Sequence, residues 1–219
     1  MVKLYYESGG IVIYHADCRD VLPSLPKFDL VLTDPPYGLG ENARRVASRV
    51  KLAAVRDYGE FDWDSEPASR ELIDATIASG ERAIIWGGNY FHVPPSRGWL
   101  VWDKQNSGDF ADCELAWTNL ETAVRIFRHR WNGMLRASER VPRVHPTQKP
   151  VALMKWCLGF CPEAKTVIDP FTGSGSTLRA AKDLGLQATG IEISEAYCEI
   201  AAKRLSQQAL PLVYEGAAK

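Results

Sequence analysis

Residues 34–37, Asp34-Pro35-Pro36-Tyr37, follow an apolar run and carry the chemistry of a binding site. A residue before proline is held in an extended backbone, so we expect Asp34 to project at a fixed angle beyond a strand. The prolines lack N–H donors, which leaves the Asp34 carboxylate and nearby carbonyls as acceptors. Tyr37 adds a flat aromatic face. Acceptors beside a stacking ring suit a planar group that carries an NH2; the alternative is a proline-rich turn capped by Asp34.

A second segment, DPFTGSGST at 169–177, contains glycines that allow a tight turn and close approach of a ligand. Glu192 lies 19 residues beyond Gly173, at the end of the next predicted strand. A carboxylate there can accept hydrogen bonds from ribose hydroxyls. The pattern indicates a nucleoside-cofactor site. A dinucleotide site would require a third glycine where Leu178 stands, and Asp169 suits a ligand with a cationic amino group better than a pyrophosphate. A glycine turn without a ligand is the remaining alternative.

The hydrophobic pattern predicts the elements that position these segments. Strands are predicted at 11–17, 28–34, 82–87, 99–103, 114–117, 122–127, 166–169 and 188–193, and helices at 19–25, 67–79, 150–160, 174–184 and 194–207. Pro67 suits a first helical turn with Ser65 or Glu66 as the cap. Strands and helices alternate with short links in the last third, which predicts a parallel sheet covered on both faces.

The composition is that of one globular domain: 219 residues, 46% hydrophobic and 24% charged. A net charge of -1 argues against coating nucleic acid by charge alone. We find no apolar stretch long enough for a membrane span and no signal-peptide pattern, so we expect a soluble, cytoplasmic protein. The five cysteines form no CxxC, and no His lies at zinc-site spacing from Cys157 and Cys161, so we expect buried thiols and no metal.

Together these motifs resemble the DNA amino-methyltransferases that use S-adenosylmethionine. DPPY at 34–37 is similar to their catalytic motif, and DPFTGSGST at 169–177 to their cofactor loop. HPTQKP at 145–150, WGGNYF at 86–91 and WDK at 102–104 resemble further blocks. The catalytic motif precedes the cofactor loop, as in the permuted beta group. The resemblance spans about residues 11–206, is closest to the small adenine-N6 methylases of phages and prophages, and includes no separate target-recognition domain.

The resemblance implies an α/β fold in a single domain, 1–219: a Rossmann-like, S-adenosylmethionine-dependent methyltransferase domain with a mostly parallel, doubly wound sheet and one reversed strand. It implies methyl transfer to the exocyclic N6 of adenine in DNA, with the base flipped out of the duplex. Four alternatives stay open: N4 of cytosine as the target, RNA as the substrate, a non-catalytic module that binds DNA or S-adenosylmethionine, and a nicotinamide dehydrogenase. A homodimer is also open.

The resemblance also implies site residues. The catalytic residues are Asp34, Pro35, Pro36 and Tyr37, with Tyr37 stacked on the base. The cofactor-binding residues are Asp17, Cys18, Thr147, Lys149, Asp169, Phe171, Gly173, Ser174, Gly175, Thr177, Glu192 and Ile193. Within that set, Asp17 takes the adenine amino group, Glu192 the ribose, and Thr147 and Lys149 close the methionine end. The alternatives are that Asp17 is a strand-end cap and Lys149 a surface charge.

Two basic loops, 38–64 and 128–148, are candidates for contact with DNA phosphates. The DNA-binding residues that we expect are Arg44, Arg45, Arg49, Arg128, Arg130 and Arg136. Loop charges that are merely solvated are the alternative.

Overall fold

A computed structural model of the chain describes residues 2–39, 66–106, 111–131 and 148–207. The strands in these ranges are β1 (Lys3–Ser8), β2 (Ile11–His15), β3 (Phe28–Thr33), β4 (Gly80–Trp86), β5 (Gly98–Asp103), β6 (Cys113–Thr118), β7 (Arg125–Arg128), β8 (Thr166–Asp169) and β9 (Gln187–Glu192). The α-helices are α1 (Cys18–Val21), α2 (Arg70–Ala78), α3 (Val151–Leu158), α4 (Ser176–Asp183) and α5 (Glu195–Ser206). Short 3-10 helices cover Leu22–Ser24 and Gly88–Tyr90.

The strands form one sheet in the order β1-β2-β9-β8-β3-β4-β6-β5-β7. The five strands from β2 to β4 in this order are parallel. β6 runs antiparallel to β4 and to β5, and β7 is parallel to β5. The sheet and the helices that alternate with its strands confirm the predicted α/β, Rossmann-like fold. No helix among the described residues is long and apolar enough to cross a membrane.

The sequence prediction of one reversed strand is wrong by one, because the described sheet contains two. β6 is reversed inside the sheet, and β1 is reversed at its edge as the hairpin partner of β2. The sequence pattern does not predict β1, because its pairing register shifts between Leu4 and Tyr6 and interrupts the period of two. Leu4 is also 52% exposed, so its hydrophobicity does not mark a buried face.

α2 begins later than predicted. Its N-cap is Ser69, whose hydroxyl accepts the Leu72 N–H at 3.3 Å, and not Ser65 or Glu66. Pro67 lies outside the helix and forms an isolated antiparallel bridge with Tyr37. The segment before α2 is therefore tied to the turn after β3, and the first favourable cap after that contact starts the helix.

The core lies on both faces of the sheet. Leu30 and Leu32 on β3 point into one apolar cluster, whereas Val31 between them points into the other, and all three side chains are fully buried. A parallel strand that is covered on both faces carries an uninterrupted apolar run. This burial fixes the end of β3, and hence the place from which Asp34 projects.

Candidate active site

A cavity of about 520 Å³ opens at the carboxyl ends of four neighbouring parallel strands. One carboxylate follows or ends each of them: Asp17 after β2, Glu192 on β9, Asp169 on β8 and Asp34 after β3. The predicted residues that line the cavity are Asp17, Cys18, Asp34, Pro36, Lys149, Asp169, Phe171, Gly173, Ser174, Thr177, Glu192 and Ile193. The structure therefore brings together the two motifs that the sequence separates.

Some predicted site residues do not line this cavity or lie outside the described part of the chain. Pro35, Tyr37 and Gly175 are not among the cavity's lining residues. Thr147, Arg44, Arg45, Arg49 and Arg136 lie outside the described residues.

Glu192 ties the glycine turn to β9. Its Oε2 accepts the Gly173 N–H and its Oε1 accepts the Ser194 N–H, both at 2.8 Å. Burial raises the pKa of this carboxyl to about 7. Each carboxylate oxygen has a second acceptor direction, so Glu192 can still receive hydroxyl groups from a ligand in the cavity.

Asp169 links the glycine turn to β3. Its Oδ1 accepts the Thr33 hydroxyl at 2.6 Å and the Phe171 N–H at 3.2 Å. The side chain is almost fully buried, and burial raises the pKa of the carboxyl to about 6. The hydrogen bond to Thr33 fixes the start of the cofactor-loop motif against the residue that precedes Asp34.

Asp17 has a capping role, but it caps the start of α1 and not the end of a strand, which was the alternative from the sequence. Its Oδ1 accepts the Arg19 N–H at 2.9 Å as the N-cap of α1, and both carboxylate oxygens accept Arg19 Nε at 3.0 Å. The side-chain hydrogen bond to Arg19 lowers the pKa of Asp17, which keeps the carboxylate ionised. Asp17 also lines the cavity, so a contact with a ligand stays a prediction.

Lys149 contacts Asp34 directly. Its Nζ lies 2.5 Å from Asp34 Oδ2 and donates to the Tyr37 hydroxyl at 3.2 Å. The side chain is only 5% exposed, so the alternative of a solvated surface charge is wrong. Burial raises the pKa of the Asp34 carboxyl and the Lys149 ammonium opposes that rise.

Glu114 and Lys104 are charged neighbours that the sequence analysis did not select. Glu114 Oε2 lies 3.0 Å from Lys149 Nζ, in an ion pair without the alignment of a hydrogen bond, and Glu114 Oε1 pairs with Lys104. Burial alone raises the pKa of Glu114, but the ammonium groups of Lys149 and Lys104 outweigh it and lower the pKa to about 2. The signal was the opposite charges of Lys104, directly after the predicted strand 99–103, and Glu114, at the start of the predicted strand 114–117.

The ring of Tyr37 lies beside the cavity in an aromatic stack. Tyr90 covers one face of it, with ring centroids 4.9 Å apart and planes 21° from parallel. The Tyr37 hydroxyl donates to Asp34 Oδ1. Gly87, which follows β4, lies against the ring: a Cβ there would be 2.0 Å from Tyr37 Cε1. Tyr90 is 47% exposed, so this stack reaches the surface at the same edge of the sheet.

Two predicted DNA-binding arginines are described, and one lies in a strand. Arg128 ends β7, whereas the sequence prediction placed it in a loop. β7 pairs in parallel with β5, so its carboxyl end points to the edge that carries the cavity. Arg128 is exposed and pairs with Asp103 at 3.5 Å, and Arg130 is exposed beyond it.

The chain is similar to known DNA methyltransferases over nearly its whole length. The N6/N4 DNA methylase family model matches residues 101–203. The chain is 28% identical to the type II methyltransferase M.ScaI of Streptomyces caespitosus, over 96% of this chain and 86% of that protein. It is also 28% identical to M2.LlaDCHI of Lactococcus lactis subsp. cremoris, over 95% and 94%.

Two solved structures share the fold. The M1.HpyAVI complex with S-adenosylmethionine aligns with a TM-score of 0.54 at 23% identity, over 89% of this chain and all of that one. The cytosine-N4-specific PvuII DNA methyltransferase aligns with a TM-score of 0.62 at 14% identity, over 95% and 90%. The family model, the relatives and the order of the motifs agree: the chain is similar to the DNA amino-methyltransferases that use S-adenosylmethionine.

Proposed function

We propose that this protein transfers a methyl group to the exocyclic N6 amino group of adenine in DNA. The observation that carries the proposal is that Asp34 and the glycine turn line one cavity, although more than a hundred residues separate them in the chain. When bound, S-adenosylmethionine supplies an electrophilic methyl group on a sulfonium. The cavity of about 520 Å³ falls in the usual size range of cofactor sites.

The proposed task of Asp34 is to make a poor nucleophile reactive. The lone pair of an exocyclic amino group is delocalised into the ring. Hydrogen bonds from the NH2 to the Asp34 carboxylate and to the Pro35 carbonyl favour a tetrahedral nitrogen with a localised lone pair. As the new C–N bond forms, the methyl–sulfur bond of the sulfonium breaks, the sulfur leaves as a neutral thioether, and these acceptors would stabilise the positive charge that develops on nitrogen. The nitrogen then releases one proton to solvent, which leaves a neutral methylated amine.

The proposed cofactor contacts use the acceptors at the other end of the cavity. Glu192 would accept the ribose hydroxyls with the lone pairs that the backbone N–H groups leave free. Phe171 and Gly173 would form the floor under the methionine part, with the Asp169 carboxylate near its ammonium. For Asp17 to accept the amino group of the cofactor's adenine, its carboxylate oxygens would have to accept that group and Arg19 at the same time.

The proposed DNA contacts lie at the same edge of the sheet. Arg128 and Arg130 are exposed there and would contact phosphates, so we expect activity to fall steeply with added salt. The target base would be flipped out and stacked against the rings of Tyr37 and Tyr90. Because Tyr90 covers one face of the Tyr37 ring, the base would stack on the exposed side of the Tyr37–Tyr90 pair.

Cytosine N4 is a second candidate target. Its NH2 is also delocalised and fits the same acceptors at Asp34 and Pro35. Two observations favour it: the family model covers both N6 and N4 enzymes, and the cytosine-N4-specific PvuII enzyme shares the fold. The product of the reaction distinguishes the two bases.

The test uses purified protein, isotopically labelled S-adenosylmethionine and unmethylated duplex DNA of mixed sequence. The DNA is digested to nucleosides and analysed by mass spectrometry, with Asp34→Ala as the inactive variant. Asp74→Ala is the matched control, because Asp74 is an exposed aspartate whose i,i+4 pair with Arg70 contributes little. Calorimetry checks that each variant still binds the cofactor.

Label on N6-methyladenine that is lost in Asp34→Ala and kept in Asp74→Ala supports the proposal. Label on N4-methylcytosine overturns the choice of base and keeps the chemistry. An active Asp34→Ala protein, or no label on DNA from a protein that binds the cofactor, overturns the proposal.

A further inference from the structure

Glu114 belongs to a row of four alternating charges that begins at Asp34. The Lys149 ammonium lies between two carboxylates, 2.5 Å from Asp34 Oδ2 and 3.0 Å from Glu114 Oε2, and Lys104 pairs with the far oxygen of Glu114. None of the four side chains is more than 21% exposed. Buried charges are found paired in this way because an unpaired one is strongly destabilising.

The reversal of β6 explains why Glu114 reaches this site. β6 runs opposite to β4, so its first residues lie at the edge where the parallel strands end. Glu114 faces Trp102 across the β5–β6 pair, and the Lys104 N–H donates to the Asp112 carbonyl at 2.9 Å. The antiparallel β5–β6 pair therefore places the Glu114 carboxylate and the Lys104 ammonium on the side of Lys149 that is opposite to Asp34.

Lys149 alone would be a poor partner for an acceptor carboxylate. A buried ammonium with one counter-ion forms a full ion pair, and the lone pairs that it occupies are lost to the NH2 of the substrate. A second carboxylate on the opposite side shares the ammonium. The longer, poorly aligned contact to Glu114 has the geometry of such sharing.

We propose that Glu114 is a positioning residue for methyl transfer, which holds the Lys149 ammonium between two carboxylates so that Asp34 stays oriented and able to accept the NH2. The inference rests on the proposed function of Asp34. Glu114 touches neither the base nor the cofactor in this scheme and acts through Lys149. Lys104 balances the outer oxygen of Glu114.

The groups around Asp34 predict a pH response with a definite sign. They are the Tyr37 phenol, the Lys149 ammonium, the Glu114 carboxylate and, from β8, Asp169. Loss of the positive charge of Lys149 raises the pKa of Asp34. Loss of the negative charge of Glu114 lowers it. The acidic limb of kcat is therefore expected to move in opposite directions in Lys149→Met and Glu114→Gln, by about one pH unit each.

The experiment measures kcat for methyl transfer to DNA at saturating S-adenosylmethionine, from about pH 5 to 9. The proteins are wild type, Glu114→Gln, Glu114→Asp, Lys149→Met and the exposed control Asp74→Asn. For Glu114→Gln we expect kcat to fall about tenfold, the cofactor Kd to stay within about twofold, and the acidic limb to move to lower pH. Glu114→Asp keeps the charge, so its limb is expected to stay at the wild-type pH.

The results separate this inference from the proposed function. If the wild type binds cofactor but methylates no DNA, the proposed function fails and the inference fails with it. If the wild type is active, unchanged kcat and limb in Glu114→Gln overturn the inference alone. The inference is also overturned if the acidic limb moves in the same direction in Lys149→Met and in Glu114→Gln. The inference predicts shifts that follow the sign of the charge removed, and general damage to the fold would not follow that sign. If Glu114→Gln does not fold, Glu114→Asp takes its place, and a displaced acidic limb in that variant overturns the inference.

Discussion

Replacement of Gly87 by alanine is expected to disable catalysis through the ring of Tyr37. Gly87 follows β4 with φ +72, and its N–H donates to the Leu115 carbonyl at 2.8 Å, so the backbone is held in place. A Cβ at this position would lie 2.0 Å from Tyr37 Cε1 and 2.5 Å from Cζ. Carbon atoms need about 3.5 Å, so the ring must move by more than about 1 Å.

The substitution is expected to have two separate effects. A non-glycine residue in the left-handed region costs about 1–2 kcal/mol, which lowers the free energy of unfolding. Displacement of Tyr37 is also expected to disturb its hydrogen bond to Asp34 Oδ1 and its stack with Tyr90. A misplacement of about 1 Å near the reacting groups costs about a hundredfold in rate. Cofactor affinity should hardly change, because neither Gly87 nor Tyr37 lines the cavity.

Gly185→Ala is the matched control. Gly185 has φ +73, and a Cβ there would meet nothing within 4 Å, so the variant has the same backbone cost without the collision. We expect urea titrations to show a similar loss of stability in both variants. Methylation assays should show about a hundredfold lower kcat in Gly87→Ala and nearly wild-type kcat in Gly185→Ala. A Gly87→Ala protein with wild-type kcat would refute the reasoning that the position of Tyr37 matters.

Three further results are expected. Burial raises the pKa of Glu192 from 4.5 to about 7, so between these pH values the folded chain holds a proton that the unfolded chain releases. The free energy of unfolding should therefore fall as the pH rises from about 4.5 to about 7. Glu192→Gln should flatten this pH dependence in urea titrations. Arg204 donates to the Ser174 carbonyl in the glycine turn at 2.5 Å, so Arg204→Met should weaken cofactor binding about tenfold in calorimetry. An unchanged Kd would show that this hydrogen bond is not needed to hold the glycine turn in its binding conformation. Ser69→Ala should cost about 1 kcal/mol of stability through the lost cap on Leu72, with kcat unchanged; equal stability would contradict the capping role.

The bounds of the central strands can be predicted closely because strands buried on both faces consist of uninterrupted apolar residues. The pattern predicts β8 at 166–169, its observed bounds, and β3 within one residue. Both lie inside the sheet with apolar cover on two faces, so hydrophobicity alone locates them. The residues at their carboxyl ends follow from that placement, which is why Asp34 and Asp169 line one cavity as expected.

The missed features depend on contacts that no local pattern contains. Ser69 caps α2 because residues 66–68 are held by the turn after β3, as in the bond from the Ala68 N–H to the Pro36 carbonyl. The resemblance implies that Lys149 closes the methionine end, but its partners Asp34 and Glu114 come from distant segments of the chain. Only the order of strands in the sheet brings those charges together, and that order cannot be predicted from the local sequence of any one segment.

The same geometry explains how a permuted order of motifs can serve one reaction. Asp34 and the glycine turn come together because β3 and β8 are neighbours in the sheet, and the Thr33–Asp169 hydrogen bond joins the strand ends directly. Because the neighbouring strand ends set the distance between Asp34 and the glycine turn, the chain could visit the two strands in either order without changing that distance. The reversed β6 adds Glu114 from a third segment at the same edge. The proposed chemistry therefore requires the adjacency of these strand ends, and the order in which the chain reaches them is free to vary.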